Sequence, residues 1–338
     1  MLKMGIVGAS GYTGAETMRL VASHPDISVV VAAGESTAGV RVADLYASLA
    51  PAYGEMVYEP YDVALFAGLD VVVMGLPHGT SQPIVKELHG RVGLIVDMGA
   101  DFRLKDPALY PQWYGETHSC PELLDEFVYG LPELYRDQIV GAKAIAVPGC
   151  NPTAACLALA PFSHGNLLDG DSVIVDLATG ASGAGRGPKP KMQFCAVDEN
   201  YEAYGLLDHR HTPEMEQVLN TTVLFTPHLV PMSRGILATC YAKPTNTMTT
   251  EQALAVMADF YADEPFVFVS ERSPSTKATL GSNSAHLTAR VDPRTGRLIA
   301  IAAIDHLTKG SAGGALQSIN VALGLDESTG LPTLGLLP

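Results

Sequence analysis

Residues 5–14 read Gly5-Ile6-Val7-Gly8-Ala9-Ser10-Gly11-Tyr12-Thr13-Gly14. An apolar run, Lys3 to Val7, enters this glycine cluster, and apolar residues at helical spacing follow it from Thr13 to Ser23. A strand, a glycine turn and a helix in this order indicate dinucleotide binding, because glycines let backbone N–H groups and the helix N-terminus meet a pyrophosphate. The G-x-x-G-x-x-G spacing is weak by itself, and its position at the start of an alternating pattern favours dinucleotide binding over an ordinary turn.

The alternating pattern continues through the first part of the chain. Further strands are predicted at Ile27 to Ala33, Asp70 to Met74, Gly93 to Asp97 and Ala142 to Val147, with helices such as Gln82 to Leu88 between some of them. Continuous apolar strands that alternate with helices are typical of a parallel sheet covered on both faces. The sequence therefore predicts an α/β, Rossmann-type, doubly wound domain over residues 1–149.

A different pattern begins after a predicted helix at Asn151 to Phe162. Longer, alternating strands follow at Ser172 to Ala178, Ile236 to Ala242, Ala285 to Val291 and Leu298 to Ile304, with few helices, notably Thr250 to Tyr261. This predicts an α+β second domain over 150–311 with a mainly antiparallel sheet and helices on one face. Residues 312–338, helical from Ala312 to Leu323, are expected to return to the first domain.

Length and charge restrict the class of protein. A chain of 338 residues exceeds the usual size of one hydrophobic core. A net charge of -15 argues against nucleic acid or an anionic membrane as partner. We find no apolar run that could span a bilayer and no signal peptide, and five cysteines without framework spacing fit a reducing compartment. These features predict a cytoplasmic enzyme.

The nature of the dinucleotide is open at this point. Glu35 follows the second predicted strand, where an acidic residue binds the 2′-hydroxyl of NAD. Ser36 and Thr37 come next, and Arg41 is close in sequence. These three side chains would instead suit the 2′-phosphate of NADP.

Cys150 is the candidate nucleophile. It lies in Val147-Pro148-Gly149-Cys150-Asn151-Pro152-Thr153, after a predicted strand and at the start of a predicted helix. The helix dipole stabilises a thiolate there, and backbone N–H groups near Asn151 can hold an oxyanion. The remaining four cysteines are expected to be small buried residues: Cys120, Cys156, Cys195 and Cys240.

A polar segment, Asp208-His209-Arg210-His211-Thr212-Pro213-Glu214, offers an acid/base. Imidazole transfers protons at neutral pH, and the spacing from His211 to Glu214 lets the carboxylate orient the ring within one helical turn. His209 is the alternative base. The segment lacks the ligand spacing of a metal site, so no metal is predicted.

Two segments are candidates for binding an anionic substrate. The loop Ala178-Thr179-Gly180-Ala181-Ser182-Gly183-Ala184-Gly185-Arg186-Gly187 offers backbone donors at Ser182 and Gly183 and a guanidinium at Arg186. Asp101-Phe102-Arg103 places a second cation after a predicted strand end, where ligands gather in open α/β sheets.

Motifs along nearly the whole chain together resemble those of N-acetyl-gamma-glutamyl-phosphate reductase. They are Gly8 to Gly14, Leu76-Pro77-His78-Gly79, Asp101-Phe102-Arg103, Pro148 to Thr153, Ser182 to Arg186, His209 to Glu214 and Lys309-Gly310-Ser311-Ala312-Gly313-Gly314. The resemblance implies NADPH-dependent reduction of N-acetylglutamyl 5-phosphate to the 5-semialdehyde and phosphate, in arginine biosynthesis, through a thioester on Cys150. It also implies NADP rather than NAD, with Ser10, Tyr12, Thr13, Pro77, Gly313 and Gly314 at the cofactor, and a homo-oligomer, a dimer or tetramer, formed through the second domain's sheet.

Two other functions remain open from the residues. The same side chains would serve an aminoadipyl-phosphate reductase of lysine biosynthesis, although net acidity disfavours docking of an acidic carrier protein. A Rossmann-type protein that senses NADP without catalysis is the second, and the presence of Cys150, His209, His211 and both arginine segments argues against it.

Overall fold

The computed structural model describes residues 1–337 and divides the chain into two compact units. The first unit comprises Met1–Pro148 and Ser311–Leu331. The second comprises Gly149–Gly310 and the segment that begins at Pro332. The predicted C-terminal segment, 312–338, is therefore shared between the units. Its last part joins the second unit, where Leu336 N–H donates to Leu280 O at 2.8 Å.

The first unit is built on a six-stranded sheet in which every neighbouring pair is parallel. The strand order is β2-β1-β3-β4-β6-β5. The strands are β1 (Leu2–Val7), β2 (Ile27–Ala33), β3 (Val71–Met74), β4 (Leu94–Asp97), β5 (Phe127–Tyr129) and β6 (Ala144–Ala146). This confirms the predicted Rossmann-type sheet, with β5 as an additional strand.

The sheet positions a ligand site by its topology. Strand β1 has β2 on one side and β3 on the other, so the chain changes direction across the sheet at this point. Ligands of open α/β sheets bind beyond the carboxyl ends of the strands at such a switch point. The glycine turn after Val7 and the loop after Met74 both lie there.

Eight helices of the described chain belong to this unit. They are α1 (Tyr12–Val21), α2 (Val42–Leu45), α3 (Ala50–Tyr53), α4 (Val63–Phe66), α5 (Ser81–Leu88), α6 (Leu109–Tyr114), α7 (Pro132–Ile139) and, from the C-terminal part, α13 (Gly313–Ala322). Helix α13 is buried throughout and packs against α7 and α1. Gln317 Nε2 donates to Glu133 Oε1 at 2.9 Å and Glu327 Oε1 at 2.7 Å, which pairs its buried amide with two acceptors.

The second unit contains a seven-stranded mixed sheet in the order β11-β12-β13-β10-β7-β9-β8. The strands are β7 (Ile174–Gly180), β8 (Glu202–Ala203), β9 (Leu224–Val230), β10 (Ile236–Ala242), β11 (Val267–Val269), β12 (Ala285–Val291) and β13 (Leu298–Ile304). Two neighbouring pairs, β7 with β9 and β11 with β12, are parallel, and the other four are antiparallel. The prediction of a mainly antiparallel sheet is confirmed.

Helix α8 (Cys150–Ser163) lies at the centre of the second unit. Its residues from Asn151 to Phe162 are all buried, because it packs against β10 and β13 of the sheet and against α10 and α11. A helix that is apolar on every side is typical of such a buried position. The other helices of the unit are α9 (Phe194–Val197), α10 (Thr212–Leu219), α11 (Thr250–Phe260) and α12 (Thr276–Thr279). No helix within residues 1–337 combines the length and apolarity that crossing a membrane requires.

Candidate active site

The glycine turn of the first unit has positions that only glycine fits. Gly8 adopts φ +80°, and a Cβ on it would lie 2.4 Å from Gly75 O. A Cβ on Gly14 would lie 2.5 Å from Ala9 Cα. Gly11 is the N-cap residue of α1 and has no side chain to cap the helix, so the first-turn N–H groups are open to an anion.

The glycine turn contacts neighbouring elements. Tyr46 Oη donates to Ser10 O at 2.9 Å, which holds the turn against the segment after β2. Thr13 Oγ1 would lie 2.8 Å from a Cβ on Gly75, so Thr13 sits directly beside the end of β3. Tyr12 is half-buried at the start of α1.

The residues predicted to select NADP lie after β2 and differ in their exposure to solvent. Ser36 is exposed, next to exposed Glu35. Thr37 is buried, and its hydroxyl donates to Gly34 O at 3.1 Å. Arg41 is exposed and forms a two-pronged pair with Asp44, with Nη2 at 2.8 Å from Oδ1 and Nε at 3.1 Å from Oδ2. Asp44 raises the pKa of Arg41 through this hydrogen bond.

The loop after β3, residues 75–80, is held by the buried carboxylate of Asp101, for which the sequence predicted no role of its own. Asp101 Oδ1 accepts from Gly79 N–H at 2.7 Å and lies 2.6 Å from His78 Nδ1. Asp101 Oδ2 accepts from the Ser81 hydroxyl at 2.6 Å and from its backbone N–H at 3.1 Å. Despite burial, these donors lower the pKa of Asp101. Pro77, the predicted cofactor contact, is exposed on this loop.

Arg103 is buried rather than presented on a surface. Its Nε donates to Val147 O at 2.8 Å and its Nη2 to Met98 O at 3.0 Å. These bonds join the end of β4 to the segment that follows β6. Arg103 thus fixes the chain three residues before Cys150, a role that its place after a strand end did not suggest.

Cys150 is the first residue of α8, with Gly149 as N-cap. The thiol is half-buried, and its Sγ lies 3.7 Å from Asn151 Oδ1. Gly310 packs on the same residue, since a Cβ on Gly310 would lie 2.8 Å from Cys150 Cβ and 3.2 Å from its Cα. The resemblance includes Gly310 in a motif, but only the structure shows this contact.

Glu214 holds the residue before the thiol. It is fully buried in α10, and its Oε1 accepts from Gly149 N–H at 2.7 Å. A charge-assisted bond of this length is strong and restricts the N-cap of α8. The spacing between His211 and Glu214 predicts that the carboxylate orients the ring, and the bond to Gly149 adds a second task.

The two histidines before α10 have different surroundings. The rings of His209 and His211 lie 4.7 Å apart, and His209 Nδ1 accepts from His211 N–H at 3.1 Å. His209 also packs edge-on against Phe225 and Tyr204. Burial, and next the charge of Arg210, lower the pKa of His209 to about 4, so this ring is neutral at pH 7.

Tyr204 is a site residue that sequence reasoning missed. Its hydroxyl hydrogen-bonds the side chain of Asn151 and is close enough to Cys150 to feel its charge. Burial, and next Cys150, raise the pKa of Tyr204 to about 12, so it stays a hydrogen-bond donor at neutral pH. Tyr204 lies far from Cys150 in sequence, and no local pattern marks it.

The glycine loop after β7 is anchored at its start and exposed beyond. Ser182 Oγ donates to Ser233 O at 2.6 Å and lies 2.8 Å from His306 Nε2, a buried ring that the sequence did not suggest. Gly183 lies over the same ring, since its Cβ would be 3.8 Å from His306 Nε2. Arg186 is exposed.

The prediction for the other cysteines is partly wrong. Cys120, Cys156 and Cys240 are buried, and burial raises the pKa of each. Cys195, in contrast, is exposed, because the single-turn helix α9 on which it lies has no buried residue. Within residues 1–337 we find no group of three or more His, Cys, Asp or Glu side chains that could hold a metal ion.

The chain matches two family descriptions in sequence order. Residues 3–142 match the NAD binding domain of semialdehyde dehydrogenase, and residues 150–306 match its dimerisation domain. The aspartate semialdehyde dehydrogenase II of Vibrio cholerae, complexed with ASA, has the same fold, with a TM-score of 0.71 at 15% identity over 95% of this chain and 98% of that one. The aspartate semialdehyde dehydrogenase of Candida albicans, with NADP, gives 0.70 at 14% identity over the same shares.

Relatives of higher identity carry one name. The N-acetyl-gamma-glutamyl-phosphate reductase of Symbiobacterium thermophilum is 46% identical over 343 residues, which cover 99% of this chain and 98% of the relative. That of Desulforudis audaxviator is 44% identical over 347 residues and the whole of both chains. That of Geobacter sulfurreducens is 42% identical, again over the whole of both chains. At this identity over its full length, the chain belongs to the N-acetyl-gamma-glutamyl-phosphate reductase family, within the semialdehyde dehydrogenases.

Proposed function

We propose that the protein reduces N-acetyl-L-glutamyl 5-phosphate with NADPH to N-acetyl-L-glutamate 5-semialdehyde and phosphate, in arginine biosynthesis. The observation that carries the proposal is the setting of Cys150, half-buried at the first position of α8, with Gly310 against its Cβ and Glu214 fixing Gly149. The names of the full-length relatives supply the substrate. They do not favour an aminoadipyl-phosphate reductase, and an intact thiol site does not favour a sensor without catalysis.

The first unit fits a nicotinamide dinucleotide. Gly8 and Gly14 have no room for a Cβ, and the start of α1 has no side-chain cap, so the turn offers backbone N–H donors that suit a pyrophosphate. Ser10, Tyr12, Thr13 and Pro77 line the same strand ends in our proposal, and Gly313 and Gly314 at the start of α13 steady the nicotinamide half. When bound, the reduced nicotinamide supplies a hydride.

We assign the cofactor as NADP on the properties of the segment after β2. Ser36 is exposed, and the exposed pair of Arg41 with Asp44 contributes little stability, so Arg41 can turn to a 2′-phosphate at small cost. The hydroxyl of Thr37 donates a hydrogen bond to Gly34 O, so we expect Thr37 to stabilise this turn rather than to bind the phosphate. Arg41→Ala should raise the KM for NADPH about tenfold, the effect of one lost charge-assisted contact, and leave the KM for NADH unchanged. Equal effects on both would refute the assignment.

The chemistry begins with Cys150. His211 accepts the thiol proton, the thiolate attacks the acyl carbon, and phosphate leaves to give a thioester. The N–H of Asn151 at the start of α8 stabilises the oxyanion, and the Asn151 side chain, bonded to Tyr204, positions the thiol. Reduction of the thioester leaves a thiohemiacetal oxyanion, whose collapse releases the aldehyde and returns the sulfur as thiolate. His211 returns its proton to the sulfur, and the released phosphate takes a proton from solvent. His209, half-buried and neutral, accepts from the backbone N–H of His211 and so holds the start of α10.

Substrate anions are bound, in this proposal, by the glycine loop of the second unit. Arg186 is the exposed guanidinium, and Gly183 presents its backbone beside Ser182, whose hydroxyl keeps the loop in place. Arg103 uses its hydrogen bonds to hold Val147 O and Met98 O, so its guanidinium is less available to a substrate anion than that of Arg186. Arg186→Ala should therefore raise the KM for the acyl phosphate more than Arg103→Lys does.

The reaction is tested in reverse with N-acetylglutamate semialdehyde, phosphate and NADP. We expect phosphate-dependent formation of NADPH that Cys150→Ser abolishes. Turnover is then compared in the forward direction on N-acetylglutamyl, aspartyl and aminoadipyl phosphates. A preference for aminoadipyl phosphate would refute the substrate, and binding of NADPH with no turnover on any of the three would favour the sensor.

We also propose a homo-oligomer, a dimer or tetramer, formed through the sheet of the second unit. Alternate residues of β10 and β13 leave an apolar face half-exposed: Leu237, Tyr241, Ile299 and Ile301. Large exposed apolar faces mark interaction sites, and the matched description of residues 150–306 names a dimerisation domain. Leu237→Asp should lower the sedimentation coefficient.

We place the enzyme in the cytoplasm, where its five free cysteines stay reduced.

A further inference from the structure

Two carboxyl groups lie fully buried beneath the loop after β3, those of Asp97 and Asp101. The hydroxyl of Ser81, the first residue of α5, lies between them, with its Oγ 2.6 Å from Asp101 Oδ2 and 3.2 Å from Asp97 Oδ2. A hydroxyl has a single proton and donates to one acceptor. One of these two contacts therefore needs a proton from elsewhere.

Asp101 is the carboxylate that receives the Ser81 proton. It already accepts from the N–H groups of Gly79 and Ser81 and lies against His78 Nδ1. Several donors on one carboxyl group favour its ionised form, and the pKa of Asp101 is lowered accordingly.

Asp97 is in the opposite situation. It accepts one backbone donor, Gly99 N–H at 2.9 Å, through Oδ1, and its Oδ2 faces a hydroxyl oxygen whose proton is directed at Asp101. The contact is a hydrogen bond when Asp97 itself carries the proton and donates it to Ser81. Burial, and next the charge of Asp101, raise the pKa of Asp97 to about 7, against the effect of Arg103.

We propose that Asp97 is a positioning residue for cofactor binding, whose carboxyl proton completes a chain from Asp97 through Ser81 to Asp101 and so fixes the loop that carries Pro77. Loss of this proton places a second buried carboxylate against the Ser81 oxygen. The link from the loop to the cofactor rests on the function proposed above, whereas the proton itself does not.

The charged and titratable groups around this chain come from several elements. Arg103 faces Asp97, while His78 faces both Asp101 and, through Nε2 at 3.0 Å, Glu116. His118 and Tyr110 hydrogen-bond Asp101 O at 2.8 Å and 2.6 Å. Burial lowers the pKa of His118 and raises that of Tyr110, which keeps both neutral near pH 7.

The sign of the effect follows from the two states of the loop. When the loop opens, Asp97 meets water and its pKa returns towards 3.8, whereas it is about 7 when the loop is closed. Between these values the closed state holds one more proton, so closure weakens as pH rises towards 7 and is constant above it. The limit is about tenfold per pH unit.

Amide hydrogen exchange of the whole protein tests the proton without any ligand. The N–H groups of Gly79 and Ser81 bond Asp101, so their protection reports loop closure. From pH 5 to pH 7, after correction for intrinsic exchange, we expect protection to fall at least about tenfold in the wild type. In Asp97→Asn it should change less than about twofold, since the amide donates to Ser81 and has no proton to lose. Asp70→Asn, which alters an exposed acceptor of Lys3 N–H, is the matched control and should respond as wild type does.

Fluorescence titration with NADPH tests the positioning role. At pH 6, Asp97→Asn should bind like wild type, while Asp97→Ala should raise the Kd about tenfold, as for one lost buried hydrogen bond, with kcat at saturation nearly unchanged. Wild-type pH dependence of exchange in Asp97→Asn would overturn the assignment of the proton. An unchanged Kd in Asp97→Ala would overturn the positioning role. If wild type fails to bind NADPH, the proposed function fails, and exchange still decides the proton. If Asp97→Ala does not fold, the Kd for NADPH is compared between wild type and Asp97→Asn from pH 5 to pH 7. It should rise with pH in wild type only, and an equal rise in Asp97→Asn would overturn the proposal.

Discussion

Replacing Gly310 with alanine should displace the reactive thiol without touching its chemistry. The new Cβ would lie 2.8 Å from Cys150 Cβ, and it must move to at least 3.4 Å for ordinary contact, a shift of about 0.6 Å. Cys150 cannot recede freely, because Glu214 holds the preceding N–H and the buried helix α8 follows. Misplacement by about 1 Å costs on the order of 100-fold in rate, so a shift of about 0.6 Å should lower kcat roughly 15-fold.

The assay is phosphate-dependent NADP reduction with the semialdehyde, together with the rate of Cys150 alkylation and the melting temperature. Gly170→Ala is the control, since its new Cβ would meet only the Thr221 hydroxyl, at 3.3 Å. A folded Gly310→Ala protein with kcat within threefold of wild type would contradict this prediction, because the contact would then be relieved without moving the thiol.

Four further predictions concern the same site. Cys150→Ser should abolish turnover while Cys156→Ser, in the buried part of α8, keeps most of it; activity in the first variant would disprove the thioester. His211→Asn should lower kcat far more than His209→Asn, and the reverse order would reassign the base. The pKa of His209 is about 4 in the folded protein and about 6.5 in the unfolded chain, so between these pH values unfolding takes up a proton. We therefore expect the free energy of unfolding to decrease by about 2 kcal/mol as pH falls from 6.5 to 4. Urea denaturation measures this decrease, which should be absent in His209→Asn. Glu214→Gln should unfold at a higher urea concentration than Glu214→Ala. The alanine variant leaves Gly149 N–H unpaired, which should lower the free energy of unfolding by about 1–3 kcal/mol. Equal urea midpoints of the two variants would show that the bond to Gly149 contributes nothing to stability.

Elements with uniform burial patterns were predictable from the sequence. Strands β10, β12 and β13 have the predicted bounds, because nearly alternate residues face the core and impose a period of two. Strand β9 was not predicted, since Pro227 and His228 interrupt its apolar run. Pro227 is tolerated because β9 pairs on one side with β8, a strand of only two residues. Strand β5 was not predicted either; its three residues are not extended by neighbouring apolar residues into a longer run, as those of the equally short β6 are.

The site was predictable where its signal is local. Cys150 is recognisable because it begins a predicted helix and lies between Pro148-Gly149 and Asn151-Pro152. The turn from Gly8 to Gly14 is recognisable because it lies between a predicted strand and a predicted helix. The partners of these residues are distant in the chain, such as Glu214, 65 residues beyond Gly149. Spacing reveals contacts within a helical turn, but contacts such as those of Gly310, Tyr204 and Asp101 depend on the packed fold.

The start of α8 shows how few donors remain for the oxyanion. Gly149 N–H is taken by Glu214, and Thr153 N–H donates to Gly149 O at 2.9 Å within the helix. Pro152 has no N–H. In the proposed mechanism Asn151 N–H, assisted by the helix dipole, stabilises the developing charge. Glu214 is a carboxylate close to this point, and it binds the N–H of the residue before the thiol. We therefore expect the carboxylate to fix the position of the nucleophile while Asn151 N–H serves the substrate.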